Sequence, residues 1–165
     1  MESSSYLKGP ALLKLAAAIL FCEIAGSLGS VVTIPGPGSW YSTLMKPFFA
    51  PPAWIFGPVW VTLFALMGIA LFLVWELGID KPEVRFAVSV FAVQFAFNIA
   101  WSFLFFGLKS PLLGLIDIII LWWLILATIM VFYRLRKGAA YLLIPYLAWV
   151  SIATVLNASL YLLNP

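Results

Sequence analysis

Residues 40–60 read WYSTLMKPFFAPPAWIFGPVW, too broken by proline for one helix and too aromatic for an idle linker. Trp40, Tyr41, Trp54 and Trp60 are interleaved with Pro47, Pro51, Pro52 and Pro58 around a single charge, Lys46. Elsewhere, groups able to do covalent chemistry are scarce. The chain has no histidine, which removes the commonest metal ligand, the usual near-neutral acid–base group and any Ser-His triad. No metal site is expected. Its one cysteine, Cys22, excludes an intrachain disulfide. Asp117 and Glu23 are the only acids well inside apolar stretches, too few for a proton relay, and both are expected to be structural. What remains is ring stacking and amide hydrogen bonding, the means of an apolar pocket with a few orienting polar groups.

The elements that carry these residues follow from composition. Of 165 residues, 65% are hydrophobic and 9% charged, against about 25% charge in a soluble domain. So little polar surface cannot face water all round; the solvent must be lipid. The net charge of +3 rests on few groups and forms no basic stripe, which argues against nucleic acid as a partner. Five apolar stretches, roughly 11–33, 54–77, 85–107, 111–133 and 139–162, are each long enough to cross a hydrocarbon core of about 30 Å at about 1.5 Å per residue. The first is too long for a signal-peptide core and carries Glu23, so it is expected to stay as a span. An all-α bundle of five transmembrane helices follows, one domain over 1–165, with a long loop at 34–53. No internal repeat is recognisable. GLKSP at 107–111 predicts a tight turn, and RLRKGAA at 134–140 predicts a helix end closed by cations and Gly138. One side of the membrane collects Lys8, Lys14, Lys81, Arg85, Arg134, Arg136 and Lys137; the other holds Lys46 and Lys109. Seven cations against two place the N-terminus in the cytoplasm of a prokaryotic cell membrane, with the loop and the C-terminus outside. In a eukaryote the mitochondrial outer membrane would be the home.

Helical spacing sorts the polar residues. On the third span Gln94, Asn98, Trp101, Ser102 and Phe105 fall within an arc of roughly 100°, while Ala92, Ala96 and Ala100 form a small-residue stripe almost opposite, suited to close packing in the bundle or across a homodimer. On the fifth span Tyr146, Trp149, Ala153, Leu156 and Asn157 recur at helical spacing, and Ala153 leaves room beside the Trp149 ring. On the second, Trp60, Phe64 and Gly68 line up behind Pro58. Three helices each offer a ring and two add an amide.

The stretch from Trp40 to Trp60, as W-Y-x-x-L-x-K-P-x-x-x-P-P-x-W-x-x-x-P-x-W, resembles the signature of the translocator protein family, also called the tryptophan-rich sensory or peripheral benzodiazepine receptor family (TspO/MBR). The likeness continues through Gln94, Asn98, Trp101, the FFG at 105–107, Asp117, PYLAW at 145–149 and ATVLN at 153–157. It implies a five-helix membrane protein, often dimeric, that binds porphyrins and aromatic drug-like ligands among its helices under the first loop. Carried over by position, the ligand-facing residues are Tyr41, Pro51, Trp60, Asn98, Trp101, Trp149, Ala153 and Leu156. Trp40, Lys46, Pro47, Pro52 and Trp54 would belong to a semi-rigid lid. The family's vertebrate members carry a proposed cholesterol motif that needs a cation after a tyrosine at the end of the fifth helix. Here Tyr161 is followed by Leu162, Leu163, Asn164 and Pro165, which argues against sterol binding.

No cofactor is obligatory on this reading, and porphyrin or haem is the expected ligand. Without histidine, an axial ligand to haem iron would have to be Met45, Tyr41 or Cys22, so metal-free porphyrin or weakly ligated haem is expected, with Lys46 placed to meet a propionate. A sensory or tetrapyrrole-handling role leads. The alternatives are oxidative or light-dependent porphyrin breakdown, with Trp60 and Trp149 as redox partners, and transmembrane carriage of the ligand.

Overall fold

A computed structural model of the chain describes residues 9–33 and 38–165. Lys8 of the cation tally, and positions 34–37 of the long loop, lie outside the described residues. Among those described, the chain is all helix: α1 (Gly9–Ser27, extended by a 3-10 turn over Leu28–Val31), α2 (Trp40–Thr43), α3 (Ala53–Trp75), α4 (Pro82–Ser102), a π-helical turn (Phe103–Gly107), α5 (Pro111–Leu135), α6 (Lys137–Leu142) and α7 (Ile144–Leu163). Five helical units, with α6 and α7 forming one, are long and apolar enough to cross a membrane.

Sequence explains most element ends. Ser39 caps α2 and Ser110 caps α5, each accepting a backbone N–H from its own first turn. Pro82 and Pro111 open α4 and α5, where the missing N–H costs nothing. Two expectations are corrected. Gly138 does not close α5; Arg136 does, in an extended conformation (φ −154°, ψ 104°), and Gly138 lies inside α6. The fifth span is not one helix but breaks at Leu143, because Pro145 has no N–H to return to Tyr141.

α1 packs along α3 at backbone distance. A Cβ on Gly68 would stand 2.6 Å from the Cα of Ile19, and one on Gly26 would stand 2.5 Å from the Phe64 ring. Gly68 therefore serves the α1 contact, not the aromatic face predicted for it behind Trp60. α5 packs between α4 and α7, with Phe91 stacked on Phe132 across α4–α5 at 6.0 Å. Ser102 also leaves its predicted company, since a Cβ on Gly29 would fall 2.5 Å from its Oγ. Ala92 and Ala96 are exposed and Ala100 half-exposed, so the alanine stripe lies on the outside of the bundle.

Candidate functional site

The lid-side end of the bundle brings together the loop, the end of α4, the start of α5 and the end of α7. The π-helical turn sets its shape. Leu108 N–H donates to the carbonyl of Phe103 at 2.8 Å, five residues back, and Phe105 within this turn is fully buried. Trp101 then stacks on Phe105 at 5.0 Å and 14°, while Trp40 meets Phe105 edge-on at 5.4 Å and Tyr41 meets Phe106 at 5.8 Å. Leu156 and Leu160 of α7 complete this apolar cluster. Gly114 of α5 makes room for it, since a Cβ there would lie 2.8 Å from the Phe105 ring.

Deeper in the membrane a second group joins α3, α4 and α7. Trp60 meets Tyr146 at 6.3 Å and stacks on Phe64 at 5.3 Å; Phe56 meets Trp149 at 5.7 Å. Asn98 Nδ2 donates to the Tyr146 hydroxyl at 2.9 Å, and that hydroxyl donates to Gln94 Oε1 at 3.2 Å. All three side chains are buried. The two levels are tied by Trp101, whose indole N–H donates to Asn157 Oδ1 at 3.1 Å while Asn157 Nδ2 donates to the Pro111 carbonyl at 2.8 Å. In lipid such amide clamps hold ring orientation because no water competes for them.

Of the ligand-facing candidates, Tyr41, Trp101 and Leu156 meet in the upper cluster, and Trp60, Asn98, Trp149 and Ala153 line the lower level. Pro51 is half-buried in the loop. Of the lid residues, Trp40 packs inward, Lys46 holds its Nζ 4.7 Å over the Tyr41 ring and Pro47 is half-buried. Pro52 is exposed and Trp54 is 73% exposed, so neither closes over the rings. Of the possible iron ligands, Cys22 is fully buried in the main apolar core, and Met45 is 64% exposed on the loop; Tyr41 alone sits among the rings.

Four buried polar atoms have no protein partner among the described residues: Tyr41 OH, Trp149 Nε1, Gln94 Nε2 and Asp117 Oδ2. Asp117, expected to be structural, is buried on α5 with its Oδ2 unpartnered. Burial pushes the Tyr41 phenol above its usual range, so at neutral pH it is a hydrogen-bond donor. Two residues of this architecture carried no role in the sequence reading. Tyr146 is the hub of the amide network, although it was visible on the α7 face. Asn164 accepts from Met45 N–H at 2.9 Å and donates to the Met45 carbonyl at 3.0 Å, pinning the loop to the end of α7.

Comparison with known proteins agrees with this geometry. The sequence profile of the TspO/MBR family matches residues 18–162. The chain is 48% identical over 155 residues to the "Tryptophan-rich protein TspO" of Chlorobaculum tepidum, covering 93% of this chain and 98% of that protein. It is 39% identical over 139 residues to the "Translocator protein" of Homo sapiens, covering 81% and 82%, and 33% identical over 146 residues to the "Tryptophan-rich sensory protein" of Cereibacter sphaeroides, covering 88% and 90%. Five apolar helices, an aromatic-lined end under a proline-rich loop and matches spanning nearly the whole chain lead to one conclusion: this integral, multi-pass membrane protein belongs to the TspO/MBR family.

Proposed function

We propose that the protein binds porphyrin-type tetrapyrroles and aromatic drug-like molecules between α3, α4 and α7 beneath the loop, in a sensory or tetrapyrrole-handling role. The observation that carries this reading is the pair of buried, unpartnered donors, Tyr41 OH and Trp149 Nε1, each beside aromatic rings met edge-on. A buried donor without an acceptor costs about 1–3 kcal/mol, which an acceptor on a bound ligand would recover. Rings at both levels supply faces for a flat macrocycle. Lys46, in no ion pair among the described residues, supplies a cation for a carboxylate at the loop end. With Cys22 buried and Met45 turned outward, Tyr41 is the one possible iron ligand left among the rings, and burial holds its phenol protonated, so metal-free porphyrin suits the site better than ligated haem. Titration of the purified protein with protoporphyrin IX should give a saturable Soret shift with quenching of tryptophan emission. A shift no larger than detergent alone produces would refute the reading.

A second reading rests on Trp60 and Trp149 at one level of the same site: light-dependent oxidation of the bound porphyrin by dissolved dioxygen, which takes up the electrons. It requires loss of Soret absorbance under illumination that stops in Trp149→Phe. Loss that is unchanged in the variant would eliminate it.

The cationic end carries Lys14, Lys81, Arg85, Arg134, Arg136 and Lys137, which supports a cytoplasmic N-terminus if the home is a prokaryotic cell membrane rather than a mitochondrial outer membrane. Cysteine at Ser42 in a Cys22→Ala background should then react with an impermeant reagent outside intact cells. Protection there reverses the orientation.

A further inference from the structure

We propose that the turn between α5 and α6 binds the headgroup of an anionic phospholipid, with one acyl chain along the exposed apolar side chains beneath it. Arg136 breaks the helix in a single extended residue, so α5 ends and α6 begins with Arg134, Arg136 and Lys137 held within four positions, all exposed. The only ion pair among the described residues joins Lys14 to Glu76, at 3.0 Å. That leaves the three cations without a carboxylate partner, although Asp80 and Glu83 share this end of the bundle.

Aromatic groups fix the depth of the cluster. Tyr133 and Tyr141 meet edge-on at 6.1 Å, and Lys137 Nζ lies 5.4 Å over the Tyr133 ring. Both rings are exposed, as tyrosines at the boundary between headgroups and hydrocarbon are. Further into the membrane come Met130, one turn back on α5, and Ile144, the first residue of α7, 53% and 49% exposed. Cations thus stand at headgroup level, and exposed apolar side chains continue below the tyrosine pair at acyl level.

A free phosphate would meet the cations alone. A phospholipid meets both features, and the three unpaired positive charges select a net-negative headgroup over a choline. The site lies at the opposite end of the bundle from the loop and does not depend on the ligand proposed there.

Native mass spectrometry of the full chain in neutral detergent, titrated with phosphatidylglycerol, tests this. At about fivefold per cation, Arg134→Gln/Arg136→Gln/Lys137→Gln should lower retention of the lipid roughly a hundredfold. Lys137→Gln alone should lower it about fivefold. Arg134→Lys/Arg136→Lys, which keeps the charge, should stay close to the parent, as should Lys109→Gln at the other end. The parent should retain phosphatidylglycerol over phosphatidylcholine, and equimolar inorganic phosphate should not displace it. Should the triple variant unfold, Lys137→Gln and the Arg→Lys pair decide. Equal retention by parent and Lys137→Gln, no preference over phosphatidylcholine, or displacement by phosphate would each overturn the proposal.

Discussion

Replacing Asn164 with alanine should loosen the loop without disturbing the bundle. The side chain makes two bonds to one residue of the loop, accepting from Met45 N–H at 2.9 Å and donating to its carbonyl at 3.0 Å, across 119 positions of sequence. Met45 is exposed and Asn164 only half-buried, so water can replace both bonds. Each is therefore assigned the low end of the usual range, about 0.5 kcal/mol, or about 1 kcal/mol together. That raises the population of open loop about fivefold. Hydrogen exchange at the Met45 amide reads it directly: exchange should quicken about fivefold in Asn164→Ala, while Phe91 in the middle of α4 stays protected as in the parent. Asn164→Asp keeps the acceptor and loses the donor, and should fall between. If Met45 exchanges at the parental rate in Asn164→Ala, the ring contacts of Trp40 and Tyr41 with Phe105 and Phe106 hold the loop unaided, and the clamp is incidental.

Three further outcomes follow from the packing. Tyr146→Phe strands Asn98 Nδ2 and Gln94 Oε1 in the membrane; at about 0.6 kcal/mol per interhelical bond, with measured cases reaching about 1.7, reversible unfolding in mixed micelles should show a loss of about 1–2 kcal/mol. Gly114→Ala drives a Cβ to 2.8 Å from Phe105 and 2.9 Å from Asn157 Oδ1, the acceptor of the Trp101 indole, and should lower stability by about 1–3 kcal/mol in the same assay, together with a change in tryptophan emission. Ala96→Leu on the exposed stripe should leave thermal stability of the protomer nearly unchanged but weaken self-association; sedimentation showing a parental monomer–dimer equilibrium would mean that this stripe faces lipid alone.

The five spans were legible because crossing a membrane needs only length and apolarity, which composition displays. The amide-bearing faces were legible too: Gln94, Asn98 and Trp101 on one helix do reach Tyr146 and Asn157 on another. A helical wheel gives direction but not which neighbour lies in that direction. Ser102 and Gly68 share the phase of the pocket residues yet face α1. Nor does a wheel anticipate the added residue of the π-helical turn at 103–107, although Phe105 within it keeps the inward direction that helical spacing gives it. The Asn164 clamp had no local signal, since its partner is fixed only when the loop and the C-terminal helix meet. Trp54 was misleading for the same reason: its place in the proline-aromatic run suggested a lid, but the start of α3 turns it outward.

The location of the ligand site is tested most directly by one paired titration with protoporphyrin IX. Ala153 is one turn from Trp149 on α7 and half-buried, whereas Ile120 on α5 is 41% exposed and touches neither ring level. Ala153→Phe should fill the space beside the indole and weaken binding by more than the roughly 2–13-fold that loss of one aromatic contact of about 0.5–1.5 kcal/mol would produce. Ile120→Phe should bind as the parent does. If Ala153→Phe also binds like the parent, the porphyrin does not sit between α3, α4 and α7.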